Sequence, residues 1–315
     1  MNTVAGFFLL GVLAKLCRSD VKFPQSLYQS LTLFLLIAIG LKGGIALQAH
    51  AGWDLLPKSV AVIGLGLLLP FIAFPILSRY GRLSREDAAS IAAHYGSVSV
   101  GTYAVAVAML ESQGIAYEAY FPLFVVLLEM PAIAVGLALA GRKDGAVDRG
   151  KLLHEIFFNQ GVFLMTGAMA IGYFGGEAIH SVMPLFGDLF QGVLALFLVQ
   201  MGIVAASRLP EIRSLAPFIT SFGVVMPLVG ATLAALLGLV LGLSSGGIAL
   251  LAALGGSASY IAVPAVMGQA LPKANHGLSI ASSLAVTFPF NVMVGIPLYI
   301  SGATWLSSVA GGGVL

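Results

Sequence analysis

Charge is what this chain has least of. Only 9% of its 315 residues are Asp, Glu, Lys or Arg, where soluble domains carry about 25%, so an ordinary soluble globular fold is excluded. The net charge of +2 offers no strongly basic surface for nucleic acid. Cys17 is the single cysteine, which excludes an intrachain disulfide and a thiolate metal cluster. No basic stretch precedes the first apolar run, so a cleavable signal peptide is not expected. Nucleotide loops, zinc-ligand spacings and nucleophile elbows are missing too. The serines of "GSVSVG" (96–101) have neither the G-x-S-x-G spacing nor the strand–turn setting of a hydrolase. No enzyme chemistry and no cofactor are expected.

What is abundant is apolar. Hydrophobic residues make up 59% of the chain, and the mean hydropathy is +1.00. In lipid every backbone polar group must be paired within the protein, so helices or closed barrels are the spanning options. The apolar runs are continuous rather than alternating, which selects helices. A span needs roughly 20 apolar residues. Ten are read, at 2–17, 27–48, 57–78, 87–111, 119–140, 155–174, 186–206, 215–242, 247–270 and 276–300. The fold class is an all-α integral membrane protein.

Charge placement checks the count, because cytoplasmic loops carry excess Lys and Arg. The connections after spans 1, 3, 5, 7 and 9 hold thirteen of the fifteen basic residues, from Lys15, Arg18 and Lys22 to Lys273. The bias places odd connections inside, both termini outside, and the basic linker 141–154 in the cytoplasm of a cell with the protein in its plasma (inner) membrane. An internal repeat also emerges. "GSVS" (96–99) recurs as "GSAS" (256–259), Pro131 pairs with Pro289, and Gly40 pairs with Gly202, at offsets of 160, 158 and 162. Five spans is an odd number, so the halves 1–140 and 155–315 must lie inverted, as in secondary transporters.

Such transporters bind substrate near the midplane, where helices break. The N-terminal end of a half-helix suits an anion, while unwound carbonyls and hydroxyls suit sodium. "HYGSVSVGT" and "GGSASYIAVP" supply the materials. Gly96, Gly101, Gly255 and Gly256 allow backbone breaks, and Pro264 removes a donor. The substrate candidates are Ser97, Val98, Ser99, Val100, Gly101 and Thr102 in the first break, with Ser257, Ala258, Ser259 and Tyr260 in the second. Close helix packing by small residues is the alternative. Glu129 is the one carboxylate well inside a span, and ionisable groups there point to function or to an ion pair. Ser99, Thr102, Glu129, Ser259, Thr287 and Asn291 are the sodium or coupling candidates, with Na+ as the only expected metal. Lys42 either attracts an anion or snorkels outward. His94 is either a proton relay or a packing histidine. Glu86, Asp87, Glu111 and Glu118 sit at span ends and read as solvated, while His154, Glu155, Asn159 and Gln160 read as caps.

At these residues the chain resembles the cyanobacterial-type sodium-dependent bicarbonate transporters, the SbtA family of permeases. The likeness is carried by "IGLKGGIAL" (39–47), "GSVSVGTYAVAVAMLESQGIAYEAY" (96–120), "EMPAI" (129–133) and "GGSASYIAVPAVMGQALPKAN" (255–275). It implies a homotrimer of ten-helix inverted repeats in membrane lipid. A core of helices 3–5 and 8–10 would move against gate helices 1, 2, 6 and 7. Bicarbonate would lie between broken helices 4 and 9 with sodium nearby, at Ser99, Thr102, Ser257 and Ser259. Glu129 stands where the family has an aspartate before Ile-Pro. Val100-Gly101-Thr102 replaces Gly-Ser-Thr, and Tyr260-Ile261-Ala262 replaces Asp-Ile-Ser, which changes the charge that the site can balance. The resemblance also implies a PII-like regulatory partner, against which the short linker counts. The expected activity is sodium-coupled import of a small monovalent anion, with bicarbonate the first choice. The alternatives are a sodium- or proton-coupled carrier of a small organic anion, and a non-transporting membrane sensor or scaffold.

Overall fold

A computed structural model of the chain describes residues 3–50, 52–141, 150, 154, 158–208, 210 and 217–311. Most of the linker 141–154 lies outside the described residues, as do Glu155 and the expected start of the eighth span at 215–216. Among the described residues there is helix but no strand. The longer helices are α1 (Thr3–Leu16), α2 (Gln25–His50), α3 (Leu55–Pro75), α4 (Arg85–Gly96), α5 (Val100–Ser112) and α6 (Phe121–Ala140). They continue as α7 (Gln160–Phe174), α8 (Phe190–Ser207), α9 (Pro217–Val240), α10 (Ser245–Gly255), α11 (Ala262–Ala270) and α12, a helical run over 276–311. Within α12, Ala281–Thr287 and Asn291–Gly295 are π-helical.

Among the described residues, six stretches are long and apolar enough to cross a membrane: Gln25–His50, Leu55–Tyr80, Phe121–Ala140, Phe190–Ser207, Pro217–Val240 and His276–Val309. Helices α1, α7 and α10 are apolar but shorter. The fourth and ninth expected spans each fold as two helices, α4–α5 and α10–α11. Local chemistry sets these boundaries. Ser84, Ser99, Asn159 and Ser244 each accept a backbone N–H of their own first turn, capping α4, α5, α7 and α10. Asn159 is thus the cap that its position suggested.

Two sets of contacts organise the molecule. Helix α1 packs chiefly on α8, and α2 on α7 and α8. Helices α3, α4 and α6 pack on one another, and α10 lies between α9 and α12. Glycines let the first set approach backbone to backbone. A Cβ on Gly11 would strike the Val199 carbonyl and one on Gly202 the Phe8 carbonyl, while Gly44 and Gly172 face each other in the same way. Small residues at crossings are how membrane helices associate without a hydrophobic drive between them. The outward face carries Leu10, Leu13, Phe71, Phe163, Ile171 and Phe174, all exposed. Such an apolar belt is covered by lipid rather than water.

Candidate functional site

The two broken helices meet. Helix α4 ends at Gly96, and the chain runs extended through Ser97 and Ser99 before α5 opens at Val100. Helix α10 ends at Gly255, and the chain resumes helix only at Ala262. Between them the breaks exchange hydrogen bonds. The Ser99 N–H donates to Ser257 Oγ at 3.0 Å, and the Ser259 N–H donates to the His94 carbonyl at 2.8 Å. His94 Nδ1 lies 2.6 Å from the Ser259 carbonyl, which as an acceptor requires the proton on Nδ1. Ser257 Oγ donates in turn to the Leu254 carbonyl. A break in lipid strands N–H and C=O groups, and here each break supplies partners for the other.

Several polar atoms in and beside the breaks remain unpaired. Among the described residues, Ser97 Oγ, Thr102 Oγ1, the Tyr260 hydroxyl, His94 Nε2 and Glu129 Oε2 are buried with no hydrogen-bond partner. The Val100 and Gly101 amides open α5 without an intrahelical acceptor. A buried polar group without a partner costs roughly 1–3 kcal/mol, so five in one region mark a place suited to a ligand. Two of the five, Tyr260 and Glu129, line a cavity of about 10 Å³ together with Val98, Ser99, Val100, Ser259 and Ile261. That volume holds about one water-sized guest.

Glu129 enters the cavity from α6 and is 3% exposed. It forms no ion pair among the described residues. A Cβ on Gly161, in the first turn of α7, would lie 3.4 Å from Glu129 Oε1. The carboxylate therefore faces the positive end of a helix as well as the cavity.

The structure sorts the sequence candidates. Val98, Ser99, Val100, Ser259 and Tyr260 line the cavity with Glu129. Ser257 is spent on the Ser99 amide and the Leu254 carbonyl, and Ala258 is buried but does not line it. Asn291 reaches the second break, its Nδ2 donating to the Gly256 carbonyl at 2.8 Å, while its Oδ1 accepts from Tyr299. Thr287 lies in a different cluster, with its hydroxyl donating to the Gly223 carbonyl and 2.7 Å from Tyr95 Oη. Tyr95 also contacts Ser282. That cluster was missed in the sequence, although Tyr95 sits inside the quoted "HYGSVS", because a tyrosine among apolar residues gives no sign of its partners.

Two glycines differ from expectation. Gly101 and Gly255 lie within helices rather than in the breaks. A side chain at Gly101 would meet the Tyr260 hydroxyl, and one at Gly255 would press on the Gly230 backbone. Both positions need smallness, not backbone freedom. Pro264 falls in the first turn of α11, where its missing N–H is of no consequence.

A family model described as the Na+-dependent bicarbonate transporter superfamily matches residues 3–304. No curated protein matches the chain.

Proposed function

The chain belongs to the Na+-dependent bicarbonate transporter superfamily, and from that premise we propose that it imports a small monovalent anion, bicarbonate first, driven by sodium. The observation that carries the proposal is the cavity where both helix breaks, Glu129 and Tyr260 converge. Its guest is sodium, because about 10 Å³ suits one small ion and not a three-oxygen anion. Glu129 supplies the charge, and the hydroxyls of Ser99 and Ser259 complete an oxygen set of the kind that hard cations prefer. Binding sodium offsets the Glu129 charge, so the open amides of Val100 and Gly101 can then face the anion without repulsion. The core, built from α3–α6 and α9–α12, moves against a gate of α1, α2, α7 and α8. No covalent step is involved.

Uptake of labelled bicarbonate into proteoliposomes tests this. Uptake should rise several-fold when sodium is outside and fall on Ser99→Ala, Ser259→Ala and Glu129→Ala. Uptake indifferent to sodium would sink the coupling. The aromatic ring of Tyr260 in the cavity wall favours a second reading, a carrier of small organic anions. Competition by acetate or formate that exceeds self-competition by bicarbonate would select it.

A further inference from the structure

A second cavity of about 220 Å³ lies along α5 and is lined by Ile39, Lys42, Tyr103, Val107, Tyr117, Ala119, Pro122 and Phe190. Its walls come from α2, α5, α6, α8 and the loop before α6, so it opens between the two sets of packed helices. Lys42 is the only basic residue among the described residues that line it. The ammonium sits 4.5 Å from the centre of the Phe190 ring and is half-buried. Among the described residues it makes no ion pair and no hydrogen bond. An ionisable group at membrane depth ordinarily has a protein partner, and Lys42 has only an aromatic face.

The neighbouring acid does not serve. Glu111 accepts from the Tyr117 hydroxyl at 3.1 Å and from Gln191 Nε2 at 2.9 Å. Tyr103, one residue beyond Thr102 in the first turn of α5, lines the cavity, and its hydroxyl has no hydrogen bond among the described residues. The cavity therefore holds a cation and a hydroxyl donor with no fixed acceptor. Its volume suits the anion that the central cavity of about 10 Å³ cannot hold.

We propose that Lys42 and Tyr103 form an outer waiting site for a small monovalent anion, from which the anion passes to the broken helices. The site rests on the anion-transport reading for its purpose, but not for its existence. Lys42 raises the local anion concentration, and Tyr103 marks the way inward, because Ser99 caps the helix on which it stands.

The test combines uptake and binding. In proteoliposomes, Lys42→Gln should lower bicarbonate uptake at low concentration by roughly tenfold, the lower range of electrostatic focusing, while the saturated rate holds within a factor of two. Lys42→Arg keeps the cation and should recover most of the loss, and added salt should slow the wild type more than Lys42→Gln. Equal uptake by wild type and Lys42→Gln at low bicarbonate, or an equal fall in saturated rate for both Lys42 variants, would overturn the proposal. If the wild type carries no bicarbonate, the transport reading fails alone. Equilibrium binding of labelled bicarbonate and acetate to the purified protein then decides. Binding that Lys42→Gln removes and Ser99→Ala keeps supports the site, and no Lys42-dependent binding of either anion refutes it.

Discussion

Glu129 and Tyr260 face one cavity with opposite demands, one for a cation and one for a hydrogen-bond acceptor. Glu129→Gln keeps the shape and removes the charge. We predict that it abolishes the sodium dependence of uptake while the protein still folds, as measured by uptake across a sodium series beside thermal unfolding in detergent. Retained sodium stimulation would remove Glu129 from the coupling role. Gly101 offers a steric test, since a methyl there would meet the Tyr260 hydroxyl. Gly101→Ala should cost roughly 1–3 kcal/mol, as overpacking does, and adding Tyr260→Phe should return part of it. A double variant no better than Gly101→Ala would mean that another contact sets the strain. Lys42 and Glu129 were legible as isolated charges in apolar sequence. The strength of the Gly101–Tyr260 contact was not, because its members are 159 positions apart and neither shows its partner.

At the level of helices, the breaks were legible and their reasons only partly so. Glycine and serine in a long apolar run mark either an interruption or a close crossing, and the sequence does not separate the two. Gly96 and Gly256 flank interruptions, whereas Gly11, Gly44, Gly172 and Gly202 serve crossings. The crossings predict that Gly202→Leu destabilises the α1–α8 pair by roughly 1–3 kcal/mol, because no side chain fits against the Phe8 carbonyl. Unfolding midpoints in detergent would measure it, and an unchanged midpoint would mean that the helices separate freely. The π-helical segments of α12 flank Pro289. Proline removes one N–H and crowds the preceding turn, and the helix widens around it.

For the whole molecule, the charge bias predicts orientation and the single cysteine can read it. Cys17 is exposed and lies in the first connection, which the bias places inside. In intact cells a membrane-permeant thiol reagent should label Cys17, and an impermeant one should label it only after lysis. Labelling by the impermeant reagent in intact cells would reverse the topology. The sequence by itself determined the class, because a chain with so few charges and such long apolar runs has no stable place but a bilayer. It also located the breaks and the one deep carboxylate, since lipid makes polar residues conspicuous. Only the tertiary structure decided which of them meet. Ser99, Ser259, Glu129 and Tyr260 share a cavity while Thr287 turns to Tyr95. Partners far apart in the chain are chosen by how helices pack, and composition carries no trace of that choice.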